Sequence, residues 1–476
     1  MASSSKKLGR REFLGLLTGT ATSALLAACG PQATPEPMRP SPEPLGEPEE
    51  PTEEPAEEAP EEVSTEAPVE QEVVVEVWGW DARASEDSNP VLQKYAEAHP
   101  GVTINAVNMG FEDVQEKLLA AFVAGTGAPH ITFAAVERFA TFMKMDVFQP
   151  IPDAIMSLSE YEDTYFQESY DPFVWDGKPY GWCFDTGAAV WYHRNDVLVD
   201  ELGLDVPTSW EEFTYTAGEV AADTDEDGEN DRFLMPIQVV YDMWLQGAGI
   251  PLSNQDGDIL PLDDENFDQT VEVFKRLSGW AKDEVVAYKT PFDSASFEAY
   301  KNGQWLSVAI GNWYQSFGLK GFGRNPDWDG VWRINPWLTW NTGDDEEQAG
   351  AKWGGACWAV PKQTEEVELC MDICKFTWAN KENGIWLAKN RSIVSSVRAC
   401  YDELSQIQDP FYAGQSYFQI TSLAAERAAG KWFGGPNYEL FGGVFGEAMD
   451  RMVLEDWDVA DALNEAKNHF EAERKY

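Results

Sequence analysis

From Val73 onward, segments whose hydrophobic pattern is typical of a strand alternate with segments whose pattern is typical of a helix. Residues 73–78 form a β-branched run that predicts a buried first strand. The apolar spacing in 90–98 predicts a helix, and 102–107 predicts the next strand. Residues 111–124 predict a second helix. Strand, helix, strand and helix at this spacing predict a largely parallel α/β sheet, whose ligand sites open at the carboxyl ends of the strands.

The first 29 residues carry the pattern of an export signal. Arg10 and Arg11 stand in the arrangement of a twin-arginine signal, and residues 14–28 contain no charge. Small residues precede Cys29, as in a lipobox, which predicts a lipid on Cys29 that anchors the protein at the outer face of a membrane. A membrane-spanning helix is the alternative, but fifteen uncharged residues fall short of the roughly 20 that a bilayer requires.

Composition changes abruptly after the signal. Residues 30–72 are rich in Pro, Glu, Ala and Thr and contain no aromatic side chain, so we expect a disordered tether.

The chain of 476 residues carries a formal charge of −49, most of it in residues 73–476. This acidic field argues against nucleic acid and other anionic partners and favours neutral or cationic ligands. Much of the charge can also serve solubility alone.

The folded part is longer than one hydrophobic core usually fills, so we expect two lobes. No second low-complexity segment that could be a linker between lobes occurs in residues 73–476. We therefore expect interleaved lobes, with the chain crossing between them more than once.

Short motifs follow one another in order along 73–476, namely Trp78–Trp80, His99–Val102, Gly125–Pro129, Pro179–Gly181, Trp191–Asn195, Pro207–Phe213, 303–313 and Trp457–Ala466. On these motifs the chain resembles the family-1 extracellular solute-binding proteins of the sugar-binding type, which serve ABC importers. Two positions depart from the family pattern. His130 stands where an Asp is usual, and residues 388–392 lack the usual proline.

The resemblance implies an α/β, two-lobed periplasmic-binding-protein-like fold of type II, with about three crossings between the lobes. The implied crossings lie near 186–192, 330–337 and 391–397, with lobe 1 at 73–188 and 335–392 and lobe 2 at 192–330 and 394–476. It also implies a monomeric binding protein without enzymatic activity or a required cofactor. Such a protein closes on its sugar by hinge rotation and then docks on the permease subunits of the transporter.

Sugar recognition requires flat apolar faces and planar hydrogen-bonding groups, which Trp and carboxylates or amides supply. We therefore select residues of these types that follow predicted strands, open the second helix, lie beside a crossing or lie in Gly-rich loops. The candidates are Trp80, Asp81, Glu112, Asp185, Trp244 after the strand-like run 239–241, Asn312 and Trp313 after 307–310, Trp353, Gly354 and Trp432. Any Trp can instead pack in the interior, as we expect for Trp210, Trp280, Trp378, Trp386 and Trp457.

An acidic loop offers a candidate metal site. Asp223, Asp225, Asp227, Glu229 and Asp231 place carboxylates at alternating positions around a Gly turn, the donor type that Ca²⁺ prefers. Leu234 occupies the twelfth loop position, where an EF-hand needs a bidentate Glu. The loop therefore predicts a short structural calcium site or, as the alternative, a solvated acidic turn.

Five cysteines follow Cys29, namely Cys183, Cys357, Cys370, Cys374 and Cys400. The odd number leaves at least one thiol free. Cys370 or Cys374 could meet Cys400 in a disulfide, and buried reduced thiols are the equal alternative because twin-arginine export implies folding inside the cell.

Two other classes of protein remain possible on sequence grounds. A secreted glycoside hydrolase also has Trp-lined clefts and paired carboxylates, and a cofactor-loaded redox protein also uses twin-arginine export. No hydrolase, phosphate-loop or cofactor motif is present, and the order of motifs favours a binding protein. Among binding proteins, a polyamine, a peptide or a glycerol-phosphate-type ligand ranks behind an oligosaccharide.

Overall fold

The structure, a computed structural model, describes residues 72–85, 89–322, 325–341, 343–345, 349–430 and 434–475. The predicted export signal, the lipidation site Cys29 and nearly all of the predicted tether lie outside these residues, as does Trp432. No helix within the described part of the chain is both long and apolar enough to cross a membrane.

The first sheet is built on the β-branched run predicted as a strand. Strand β1, Val73–Gly79, pairs in parallel with β2, Val102–Asn108, and with β3, Ile131–Ala135. Val75 and Val77 are fully buried while Val74 is exposed, which is the alternation of a strand with one face on a core. The two predicted helices connect these strands at Pro90–Ala98 and Phe111–Ala124, so the opening prediction is confirmed.

The sheet departs from the predicted largely parallel arrangement at one strand. Strands β6, Gly181–Cys183, and β10, Ala356–Ala359, complete the sheet in the order β2-β1-β3-β10-β6, and β10 runs antiparallel to both of its neighbours. The physical reason lies in the connections. Strand β6 leads into the second sheet through residues 184–188, and the chain returns from that sheet through residues 337–355 into β10, which therefore runs opposite to β6.

The second sheet is antiparallel throughout. Strand β7, Ala189–Arg194, lies between β8, Ser307–Gly311, and β9, Trp332–Pro336. A small hairpin pairs β4, Val174–Trp175, with β5, Lys178–Pro179. Residues 184–188 and 337–355 connect the two sheets, and a backbone bridge joins Asp185 to Ser395. The predicted lobe bounds stay a prediction.

Helices cover the sheets and fill the rest of the described chain. The α-helices are α1 Ala82–Ser85, α2 Pro90–Ala98, α3 Phe111–Ala124, α4 Val136–Lys144, α5 Leu158–Thr164, α6 Gln167–Tyr170, α7 Trp210–Val220, α8 Tyr241–Gly247, α9 Phe267–Lys282, α10 Ser294–Lys301, α11 Val367–Trp378, α12 Lys381–Arg391, α13 Tyr401–Leu404, α14 Tyr417–Arg427, α15 Glu439–Leu454 and α16 Val459–Glu473. Short π-type turns cover Asp196–Glu201 and Gln315–Phe322, and 3-10 turns cover Asp171–Phe173, Leu260–Leu262, Pro326–Trp328, Arg398–Cys400 and Pro410–Tyr412.

The strand-like run at 239–241 is not a strand. Val239 has a φ of 66°, a left-handed conformation that is unusual for a β-branched residue, and the chain then enters α8 at Tyr241. Hydrophobic residues in a tight turn before a buried helix have the same composition as a short strand, so the run could not distinguish the two.

The five cysteines are buried free thiols, which decides between the two alternatives in favour of reduced cysteines. Burial raises the pKa of the Cys183 thiol to about 12, so it is not a reactive thiolate.

Candidate functional site

A cavity of about 1180 Å³ opens between the first sheet and a turn that follows a strand of the second sheet. Its lining comes from the end of β1 with α1, from the starts of α3, α4, α8 and α15, and from the turn that follows β8. The connections between the sheets add Phe184, Asp185 and residues 353–356. The cavity therefore lies where the two sheets are joined, at the ends of several strands, as expected for a ligand site in an α/β protein.

Three aromatic rings form a wall of this cavity. Phe292 and Trp353 stack with ring centroids 5.3 Å apart, and Trp353 and Trp313 stack at 5.8 Å. The planes of Phe292 and Trp313 differ by only 13°. We call Phe292, Trp313 and Trp353 the aromatic wall. All three rings are only partly buried, so the wall presents apolar faces to whatever occupies the cavity.

A second aromatic group lines the cavity at the end of β1. Trp80 meets Phe111 edge to face at 5.0 Å and Phe133 at 5.1 Å. Such T-shaped contacts stabilise aromatic pairs and hold the indole in one orientation.

Glycines allow the backbone to approach closely behind the aromatic wall. A Cβ on Gly187 would lie 2.2 Å from the carbonyl oxygen of Gly354, and one on Gly311 would lie 2.4 Å from the carbonyl oxygen of Trp353. Gly354 has a φ of +82°, and a Cβ there would meet the Trp313 indole nitrogen at 2.8 Å. We call Gly187, Gly311 and Gly354 the glycine junction.

Hydrogen bonds connect the same segments. The Trp353 amide donates to the Gly187 carbonyl at 2.8 Å, and the Trp313 indole N–H donates to the Trp353 carbonyl at 3.0 Å. Because these bonds require the close approach that only glycine allows, the glycine junction sets the position of the aromatic wall.

An ion pair adjoins Trp80. Asp81 pairs with Arg83 at 2.5 Å, and both residues line the cavity. The Arg83 guanidinium also donates to Ser316 Oγ at 2.8 Å and to the Ser392 carbonyl at 3.0 Å. Arg83 therefore connects the end of β1 with the turn after β8 and with the segment after α12.

Asp185 is the most deeply buried of the predicted carboxylates, with 9% of its surface exposed. Its Oδ1 accepts a hydrogen bond from the Ala356 amide at 3.2 Å. Burial raises the pKa of Asp185 to about 8, and repulsion from the Asp81 carboxylate adds to the shift.

Four more carboxylates, those of Glu112, Glu137, Asp242 and Glu439, lie at helix starts in the cavity. Burial raises the pKa of Asp242 to about 7, although the Tyr438 hydroxyl donates to it at 2.5 Å. Burial also raises the pKa of Glu137. Glu112 lies nearer the surface, in an ion pair of 3.0 Å with Arg138.

The structure brings most of the predicted binding residues together at this cavity. Those that line it are Trp80, Asp81, Glu112, Asp185, Trp313, Trp353 and Gly354. Whether they contact a ligand stays a prediction. Sequence reasoning missed Arg83, Glu137, Asp242, Phe292 and Tyr438. The i, i+2 spacing of Asp81 and Arg83 could have suggested their pair, but no local pattern marks the other four.

Two predicted residues lie away from the cavity. Trp244 is fully buried against Trp210 and Trp280, with ring centroids at 4.6 and 5.4 Å, because α8 turns it into the interior. Asn312 is also fully buried, and its side-chain amide donates to the Thr186 hydroxyl. Both are structural in this arrangement.

The acidic loop brings only part of its predicted set together. Asp223, Asp225 and Asp227 each place one carboxylate oxygen within 4.8 Å of the others, a donor set that fits Ca²⁺. Repulsion from Asp227 raises the pKa of Asp225. Asp231 instead accepts hydrogen bonds from Thr224, and Glu229 is outside the cluster. Calcium binding stays a prediction.

Comparisons with known proteins agree with this geometry. The family model described as bacterial extracellular solute-binding protein matches residues 91–410. A lactose-binding protein of Rhizobium radiobacter is 24% identical over 360 residues, which cover 72% of this chain and 80% of that protein.

Two solved structures share the fold. One is described as an extracellular solute-binding protein of family 1, with a TM-score of 0.70 and 16% identity, and the match covers 84% of this chain and 99% of the other. The sugar-binding protein MalE of Xanthomonas citri matches with a TM-score of 0.66 and 17% identity over 83% of this chain and 96% of its own. The chain has their two-lobed α/β fold.

The glycine junction generates a stability prediction. We expect Gly187→Ala to lower the free energy of unfolding by about 2–3 kcal/mol, because its Cβ would overlap a backbone carbonyl that cannot rotate away. Thermal and urea unfolding measure the loss. Gly443→Ala is the matched control. It lies in α15 with nothing near its Cβ and should be neutral or stabilising by up to about 1 kcal/mol. Equal stability of Gly187→Ala and wild type would contradict the tight junction.

The acidic loop generates a metal prediction. Adding Ca²⁺ to chelator-treated protein should raise the melting temperature, because bound Ca²⁺ cancels the repulsion among the three carboxylates. Asp225→Asn should abolish most of the rise, and the chelated variant should be as stable as the chelated wild type or slightly more stable, because one of the repelling charges is gone. A melting temperature that does not respond to Ca²⁺ would favour the solvated acidic turn.

Proposed function

Because this chain belongs to the family of bacterial extracellular solute-binding proteins, we propose that it is the substrate-binding component of an ABC importer and captures a sugar or short oligosaccharide. Membership of this family implies that the protein functions outside the cytoplasm. The observation that carries the proposal is the aromatic wall in a large cavity that carboxylates and arginines also line.

The chemistry of the cavity suits a carbohydrate. One face of a pyranose ring exposes C–H groups, which pack on aromatic faces such as those of Phe292 and Trp353. Its hydroxyl groups can donate to the carboxylates and accept from Arg83 and Arg138. A volume of about 1180 Å³ exceeds the roughly 300–1,000 Å³ of common small-molecule pockets, which favours a ligand of more than one sugar ring.

The binding step is a closure of the two lobes over the ligand. Strand ends of the first sheet and the turn that follows β8 of the second sheet line the cavity, so a ligand that contacts both stabilises the closed arrangement. Arg83 adds a connection that exists only when the segments after β1 and β8 are near each other. The closed form then docks on the permease, and the sugar is released intact.

We also propose that the protein is a monomer held at the outer face of the membrane. Twin-arginine export, a lipid on Cys29 and the Pro- and Glu-rich tether support this arrangement. Its acidic charge favours neutral or cationic ligands and argues against a nucleic-acid partner.

Trp353→Ala tests the binding mode. Removing an indole face that packs on a sugar should weaken binding by about 2 kcal/mol, which is about 30-fold in the dissociation constant. Titration calorimetry with the tightest sugar from a thermal-shift screen measures the change. Trp353 is a sharper choice than Trp313, because the Trp313 indole N–H also holds a backbone carbonyl.

Trp244→Phe is the matched control for this experiment. It alters a fully buried indole outside the cavity, so it should lower the melting temperature without changing affinity. Unchanged affinity in Trp353→Ala would rule out the aromatic wall as the binding surface. Shortened sugar recovered after incubation would favour the hydrolase.

Cys29→Ser tests the anchor. The variant loses the thioether to lipid, so we expect exported protein to leave the membrane fraction and appear in soluble extracytoplasmic fractions. Fractionation and metabolic labelling with a fatty acid measure both effects. Equal retention of both forms in membranes, without label, would exclude lipidation.

A further inference from the structure

Acidic side chains outnumber basic ones in the cavity lining. Six carboxylates line it against two guanidinium groups, those of Arg83 and Arg138. Both arginines already have carboxylate partners, Asp81 at 2.5 Å for Arg83, and Glu112 at 3.0 Å and Glu439 at 4.0 Å for Arg138. The excess of negative charge therefore falls on carboxylates that no arginine of the lining neutralises.

Asp185 is the clearest of these carboxylates. It is more than nine-tenths buried, and its one hydrogen bond within the described part of the chain comes from the Ala356 amide to Oδ1. Its other oxygen, Oδ2, has no hydrogen-bond donor among the described residues.

The cations near Asp185 are already paired. Arg83 pairs with Asp81, and the buried Lys352 pairs with Glu168 at 2.9 Å. These four groups form two neutral pairs, so an ionised Asp185 adds a negative charge that neither pair balances. Burial first, and then repulsion from Asp81, raises the pKa of Asp185 to about 8, although Arg83 and Lys352 act in the opposite direction.

The aromatic wall lies close to this charge along the backbone. The Trp353 amide donates to Gly187, two residues after Asp185, and Ala356, which donates to Asp185, follows Trp353 by three residues. A carboxylate beside aromatic faces is a recurring way to bind an ammonium group, because the faces attract a cation and the carboxylate neutralises it.

We propose that the ligand is a saccharide that carries a protonated amine, with the ammonium group placed at Asp185 beside the aromatic wall. The inference rests on the proposed function and narrows its substrate class from sugars in general to amino sugars. The amine supplies the counter-charge that Asp185 lacks, and its N–H groups donate to the open Oδ2. A neutral or N-acetylated sugar supplies no such charge.

The test compares sugars that differ only in the nitrogen substituent. The set contains the β-1,4-linked disaccharide of glucosamine, its di-N-acetyl form and cellobiose, together with glucosamine, galactosamine and mannosamine beside their N-acetyl and hydroxyl counterparts. Spermidine is a linear amine without a sugar ring. Titration calorimetry should show at least tenfold tighter binding for the amine in the best matched set. The preference should shrink as NaCl is raised from 0.05 to 0.5 M, where charge pairs are screened.

Two variants test whether Asp185 is the source of the preference for amino sugars. Asp185→Asn keeps an oxygen for the Ala356 amide and removes the charge, so it should lose most of the amine preference while binding the neutral partner within about threefold. The matched control Asp264→Asn alters a fully exposed carboxylate and should leave both affinities unchanged. Amine binding by wild type should also release a proton near pH 7, seen as a buffer-dependent heat, because it displaces the proton that Asp185 carries there.

The outcomes are distinct. If neutral or N-acetyl sugars bind as tightly as their amines, the inference is overturned and the proposed function stands. If no sugar of this set or of the thermal-shift screen binds, both are overturned. Spermidine binding more tightly than every sugar would replace the amino sugar with a linear amine. An amine preference that survives in Asp185→Asn would remove Asp185 from the site.

Discussion

The close contact of three glycines controls the binding surface of this protein. Gly187, Gly311 and Gly354 allow the segments that join the two sheets to touch at distances that no side chain would permit. Only then can the Trp353 amide reach Gly187 and the Trp313 indole reach the Trp353 carbonyl. The aromatic wall is thus held by backbone geometry, which restrains it more tightly than side-chain packing alone.

The charges of the cavity act within this frame. Arg83 is positioned by Asp81 and connects segments from both sheets, so it links ligand capture to closure. Asp185 lines the same cavity, and among the described residues its Oδ2 accepts no hydrogen bond. Burial disfavours the ionised form of this carboxylate, and a cationic group on the ligand would stabilise that form. The strongly acidic chain also favours a cationic ligand, since its long-range field attracts cations to the protein.

The first strands and helices could be predicted from sequence because their patterns are local. A buried β-branched run and helical apolar spacing depend on nearby residues alone, and the predicted helix at 111–124 has the observed bounds. Trp80, Asp185 and Trp353 could also be selected, since strand ends and Gly-flanked aromatics in an α/β protein lie near ligand sites. Trp244 could not be placed, because the run before it is a turn with Val239 at φ 66°, and not a strand. Phe292 and Asp242 reach the cavity only through packing of segments distant in sequence, which no local pattern records.

The most direct test of the account is a crystal structure of the protein with its bound saccharide. The account predicts a sugar ring whose C–H face lies within about 4 Å of the Trp353 indole, with an amine nitrogen in hydrogen-bond reach of Asp185 Oδ2. A ligand bound elsewhere on the protein, or one that leaves the aromatic wall uncovered, would contradict it.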